Sequence, residues 1–233
     1  MYKRQITYRV TIPEGFTVRQ IASLLKQRGI IEDEEEFCRL AFDPRFVRSL
    51  GIEDRTLEGY LFPDTYRFPR GTPPREVIRV MVENFRRVYD EGLAMRAKEL
   101  GMTVREVVIL ASIIEKETGR AEERPLISAV FHNRLKKGMP LCSDPTVIYG
   151  LEEFDGNLTK EHLRRRTPYN TYLFAGLPPT AIANPGRDAL LAALYPAPVP
   201  YLYFVSRNDG THKFSVTLKE HNRAVLRYQK GLK

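Results

Sequence analysis

Two carboxylates follow the most apolar run of the chain, Val107-Val108-Ile109-Leu110-Ala111-Ser112-Ile113-Ile114: Glu115 directly, and Glu117 two positions on. Apolar residues on every side of this run predict a helix that is packed all round. At 100° per residue the two glutamates differ by about 200° and project from opposite sides, so they do not form a catalytic pair with each other. Glu115 lies in line with Val108, Ala111 and Ser112, and Glu117 lies over Leu110 and Ile113. Apolar neighbours and the negative end of the helix dipole both disfavour charge on Glu115. A carboxyl kept protonated near neutral pH is what a general acid needs to protonate a glycosidic oxygen. The small side chains of Ala111 and Ser112, one turn back, leave room for a substrate. The competing reading is a helix-end glutamate paired with Lys116 or an arginine such as Arg120, since structural ion pairs perturb titration too.

The elements that must position this helix are legible from pattern. Tyr8 to Ile12 alternates as a strand and ends at the turn Pro13-Glu14-Gly15. Thr17 caps a helix that stops at Gly29, and a second helix from Asp33 is bounded by Pro44. Asp64 to Phe68 alternates again. From Pro73 the period becomes helical through Val77, Val80, Met81, Phe85 and Val88. Thr103-Val104-Arg105-Glu106 is a capping box that opens the carboxylate-bearing helix. A further helix covers 122 to 137, and a loop-rich stretch runs from Met139 to Gly186. That length, with Tyr149, Phe154, Tyr169, Tyr172 and Phe174 inside it, marks a wall or lid rather than disorder. Ala189 to Leu194 is helical. Tyr201 to Val205 and Lys213 to Val216 flank Asn208-Asp209-Gly210 as a hairpin, and Thr217-Leu218-Lys219-Glu220 caps a last helix. The expected fold is therefore α+β: a strand–helix–helix–strand subdomain over residues 1–71, then a mainly helical domain over 72–233 with a C-terminal β-hairpin.

Composition bounds the function classes. The 233 residues carry 37 Lys+Arg against 29 Asp+Glu, a net charge of +8, which suits an anionic partner or a basic solvated surface. No run approaches the roughly 18 apolar residues of a membrane helix, and no signal peptide opens the chain. Two cysteines, Cys38 and Cys142, exclude a disulfide scaffold and a Cys-based zinc site. Four histidines without His-Glu-x-x-His spacing predict no metal. Arg164-Arg165-Arg166 raises nucleic-acid binding as a rival class, but no recognised nucleic-acid motif accompanies it and no nucleic-acid partner is expected.

Many ordered blocks carry a resemblance. Leu110-Ala111-Ser112-Ile113-Ile114-Glu115-Lys116-Glu117-Thr118, Val130-Phe131-His132-Asn133-Arg134-Leu135 and Ser143-Asp144-Pro145-Thr146-Val147-Ile148-Tyr149 resemble the YceG-like (MltG) family of endolytic murein transglycosylases. So do Leu57 to Tyr66, Pro168-Tyr169-Asn170-Thr171-Tyr172, Gly176-Leu177-Pro178-Pro179, Asn184-Pro185-Gly186, Leu202 to Val205 and Gly210 to Phe214. The resemblance implies a cofactor-free lytic transglycosylase that cleaves the MurNAc–GlcNAc β-1,4 bond of peptidoglycan and leaves a 1,6-anhydro end. Glu115 would act as its single acid/base. A single acid/base needs no second carboxylate on the helix, unlike most glycoside hydrolases. Residues 1–71 resemble the family's LysM-like subdomain, read either as a glycan contact or as a packing module.

The resemblance further implies an anchor preceding this chain, work at the outer face of the cytoplasmic membrane beside anionic lipid, and peptidoglycan synthases as possible partners. Asn133, Asp144, Tyr149, Asn170, Thr171, Tyr172 and His212 are candidate substrate contacts, with holding the loop together as the alternative role for each. The chain departs from the family at Cys142, where an amide residue is usual, and at Thr180-Ala181, where a glycine-containing turn is usual. A binding scaffold with lost activity is the rival reading that Cys142 motivates. The label aminodeoxychorismate lyase, also attached to such sequences, finds no residue here specific to pyridoxal phosphate.

Overall fold

A computed structural model describes residues 6–231 of the chain. It is α+β, with ten α-helices and two antiparallel two-stranded sheets among those residues. The chain divides into two compact units: residues up to Ser112 with Thr180–Arg187, and Ile113–Pro179 with Asp188 onward. The division falls inside one helix, and the strand–helix module of residues 1–71 lies wholly in the first unit.

In the first unit, β1 (Tyr8–Thr11) pairs with β2 (Thr65–Phe68), Tyr8 opposite Phe68 and Thr11 opposite Thr65. Between them run α1 (Val18–Gln27), α2 (Glu34–Ala41) and α3 (Pro44–Ser49). Thr17 and Gln20 form a reciprocal capping box at the start of α1, and Asp33 caps α2 by accepting from the Glu36 amide at 2.9 Å. The module has three helices, not the two expected. Pro44 bounds α2, which ends at Ala41, and also begins α3, because a proline loses nothing at the first helical position and Asp43 caps the turn. The helical stretch after Pro73 likewise resolves into α4 (Pro74–Val88) and α5 (Glu91–Glu99), with Asp90 capping the second.

Then comes α6 (Val104–Glu117), opened by Thr103 and Glu106 as expected. Its residues from Val107 to Ile114 are buried. The room expected beside Ala111 and Ser112 is filled by protein. Both are fully buried, and Ser112 Oγ accepts the Ile182 amide at 3.0 Å while donating to Ile109 at 2.7 Å. Gly59, at φ 94, is just as tightly covered: an added Cβ would lie 2.5 Å from Val108 and 2.7 Å from Ala181. Asn184 binds this unit together. Its Oδ1 accepts from the Gly59 and Leu61 amides, and its Nδ2 donates to Phe16 carbonyl and Glu58, all at 2.9 Å.

In the second unit a 3₁₀ turn, Ala121–Glu123, leads into α7 (Arg124–Lys136). The loop-rich stretch contains one short α-helix, α8 (Asp144–Tyr149), and a 3₁₀ turn, His162–Arg164; α9 (Arg187–Leu194) follows it. The hairpin β3 (Tyr203–Ser206) and β4 (His212–Ser215) pairs Ser206 with His212. α10 (Leu218–Gln229), with Thr217 and Glu220 as its capping box, packs on the hairpin. Phe131 of α7 meets Phe204 of β3 edge-on at 6.0 Å.

Candidate active site

The two glutamates at the end of α6 meet opposite chemistries within the second unit. Glu115 Oε1 accepts from Arg124 Nη2 at 3.0 Å, with both side chains under a tenth exposed, and Arg124 also reaches Asp188 at 3.5 Å. An arginine does pair with Glu115, and it is the first residue of the next helix.

Among the described residues, Glu117 has no cation as its hydrogen-bond partner. Its Oε1 accepts the hydroxyl proton of Ser143 at 2.5 Å, and burial pushes its carboxyl up to about 7. Burial is the largest cause. The Ser143 hydrogen bond and Arg134 lower it, and the negative charge of Asp144 raises it further. Desolvation at the end of this helix acts on Glu117, which sits one and two turns beyond Ile113 and Leu110.

Three of the expected substrate contacts gather here. Asp144, exposed at the start of α8, accepts the Tyr172 hydroxyl at 2.6 Å. Burial and this bond raise the Tyr172 phenol well above its ordinary range. Thr171 is fully buried; its carbonyl accepts the Cys142 amide at 3.0 Å and its hydroxyl accepts the Ser143 amide at 3.1 Å. Cys142, at the family's amide position, is exposed and holds φ 50, a left-handed backbone costly for a side-chain-bearing residue.

The other four have partners elsewhere. Asn170 is buried and holds the loop, donating to the Leu163 and Arg165 carbonyls at 3.0 and 2.8 Å and accepting from the Tyr172 amide at 3.1 Å. Asn133 donates to the Val199 and Tyr201 carbonyls, both at 2.9 Å. Tyr149 packs edge-on against Tyr169 at 4.9 Å. His212 gives its amide and Nδ1 to the two oxygens of Glu123, at 2.9 and 2.6 Å.

Sequence reasoning passed over Glu117, Ser143 and Arg134 as site residues. Arg134 is buried. It donates to the Leu202 and Leu141 carbonyls at 2.7 and 2.6 Å and lies over the Tyr203 ring. A signal for Glu117 was present, since its i−4 and i−7 neighbours are Ile113 and Leu110. Ser143 and Arg134 carried none beyond their place in the quoted blocks. No group of three His, Cys, Asp or Glu among the described residues is arranged to hold a metal, and none of their helices is long and apolar enough to cross a membrane.

Known proteins align over most of this chain. It is 34% identical over 236 residues to the endolytic murein transglycosylase of Bacillus subtilis, covering 95% of this chain and 65% of that protein. It is 30% identical over 247 residues to the endolytic murein transglycosylase of Streptococcus pneumoniae, covering 94% and 44%. The chain thus spans less than two thirds of either relative. A solved structure of a yceG-like protein from Listeria monocytogenes superposes with a TM-score of 0.84 at 36% identity, covering 93% of this chain and 75% of that one. The family model described as the YceG-like family matches residues 1–227, and the chain belongs to that family.

Proposed function

We propose that this chain carries the catalytic part of a peptidoglycan lytic transglycosylase, with Glu117 rather than Glu115 as its single acid/base. The observation that carries this reading is the buried Glu117 carboxyl, raised to about 7 and hydrogen-bonded to the Ser143 hydroxyl. An acid near neutrality can hold a proton and release it within one cycle. Protonated Glu117 gives its proton to the oxygen between MurNAc and GlcNAc, and the C1–O bond breaks with the electron pair leaving on that oxygen. The carboxylate then takes the proton of the MurNAc 6-hydroxyl, whose oxygen bonds to C1 and closes the 1,6-anhydro ring. Glu117 ends as it began, protonated, and no water is consumed.

Asp144 and Tyr172 face the same carboxyl and suit the polar groups of a sugar ring, whereas Asn133, Asn170 and His212 read as braces of the loop and hairpin. Glu115, engaged by buried Arg124, reads as the clasp joining α6 to α7. The test is digestion of purified glycan strands with mass-spectrometric detection of anhydro ends. Glu117→Gln is expected to yield none while Glu115→Gln retains them. The reverse result would return the role to Glu115.

A further inference from the structure

Around Ser143 the hydrogen bonds can be assigned a direction. The Thr146 hydroxyl donates to the Ser143 carbonyl at 2.7 Å, so its single proton is used. The 2.8 Å contact between the Thr146 and Thr171 hydroxyls must then run from Thr171 to Thr146. Thr171 Oγ1 in turn accepts the Ser143 amide at 3.1 Å. Ser143, Thr146 and Thr171 are 1%, 0% and 0% exposed, so this closed ring of donors and acceptors excludes water. It satisfies both backbone groups of Ser143 and fixes its orientation. The remaining donor, the Ser143 Oγ–H, meets Glu117 Oε1 at 2.5 Å, and among the described residues Oγ has no other partner.

Resting on Glu117 as the acid, we propose that Ser143 is its positioning residue. The Thr146–Thr171 ring aims the serine hydroxyl at Oε1, which reserves Oε2 as the oxygen that carries the exchangeable proton to and from the glycan. An Oε1 that accepts a hydrogen bond along one lone pair is the poorer site for the proton, and the side chain can no longer rotate to exchange its two oxygens. The same bond favours the ionised form. It works with Arg134 of α7, and against burial and the Asp144 carboxylate of α8, to hold the group near neutrality. Tyr172 completes the surroundings through its bond to Asp144.

The test is the pH dependence of kcat/KM on purified glycan strands, with kcat and KM separated. In the wild type activity falls as pH rises through the Glu117 titration, because the acid must begin protonated. Ser143→Ala removes a bond to the charged form, so the alkaline limb moves up by about one pH unit. Its kcat falls about 10- to 100-fold and KM changes little, as expected for a lost contribution to proton transfer. A merely structural serine would lower activity without moving the limb. Ser143→Thr keeps the hydroxyl and restores the limb and most of the rate. A folded Ser143→Ala protein whose limb stays at the wild-type pH overturns the proposal. Should that variant not fold, Ser143→Thr decides, a wild-type limb supporting the assignment and a displaced one overturning it. The underlying reading is separable: an active Glu117→Gln enzyme removes Glu117 as the acid, whereas an inactive one with an unmoved Ser143→Ala limb removes only the positioning.

Discussion

Glu115 and Glu117 leave the same helix end two residues apart, yet one faces a guanidinium and the other a hydroxyl. Neither side chain is open to solvent, Glu115 being nearly covered and Glu117 half-buried, so burial alone does not separate them. The partner does. A buried carboxylate clasped by arginine is a fastening whose loss strands a charge. A buried carboxyl given only a neutral donor is left able to exchange its proton. Placement at the end of an apolar helix thus yields opposite roles according to what the next segment brings, α7 supplying Arg124 on one side and the loop before α8 supplying Ser143 on the other.

The sharpest way to break this contrast is to neutralise each side in turn. Glu117→Gln should cost about 100- to 10,000-fold in the rate of anhydro-end formation, the range of a lost general acid, with its thermal midpoint near or above the wild type. An equal loss in Glu115→Gln would erase the distinction.

Next in size is stability. Arg124→Ala removes the buried guanidinium from Glu115, and is expected to cost about 3–5 kcal/mol in denaturant unfolding. Glu117→Gln should cost little by the same measure.

The third prediction concerns pH. Because folding raises the Glu117 carboxyl from 4.5 to about 7, the folded state binds more protons than the unfolded one between those values. Its contribution to stability is therefore fully present below about pH 4.5, is lost as pH rises through about 7, and disappears in Glu117→Gln. Unfolding measured from pH 4.5 to 8 in both proteins checks the slope.

The smallest effect is at Asp144, which is exposed. Asp144→Asn removes a negative charge facing Glu117, so the alkaline limb of activity should move down by less than about one unit. Movement upward would mean that Asp144 acts on Glu117 other than through its charge.

The local grammar of the chain was readable where side chain and backbone answer each other nearby. The capping boxes at Thr17, Thr103 and Thr217 open helices as expected, and the hairpin turns at Asn208-Asp209-Gly210. The helix that Pro44 begins was missed because proline both bounds and begins helices, and only Asp43 beside it shows the second role. At the site, helical geometry correctly put the two glutamates on opposite sides. Which side would be clasped depended on Arg124 folding back nine residues later and on Ser143 arriving from 26 residues away. Periodicity does not encode such distances. The quoted family blocks marked Asp144, Thr171 and Tyr172, but they could not tell these from Asn133 and Asn170, whose amides turn out to be spent on carbonyls.

The four bonds of Asn184 bear on how the molecule comes to exist. Residues 15–18 and 57–61 are made well before their partner: the acceptor for the Gly59 and Leu61 amides arrives more than 120 positions later. The first unit therefore cannot complete its hydrogen bonding during synthesis of its own N-terminal stretch. Those bonds form only after the helix-end glutamates, the hydroxyl ring and the long loop have been translated. A chain stopped after Pro179 would carry every candidate catalytic group except His212 and still lack the amide that closes the unit preceding them. Folding of this protein is, in that sense, a late and cooperative event, governed by long-range closure rather than by the order in which its helices emerge.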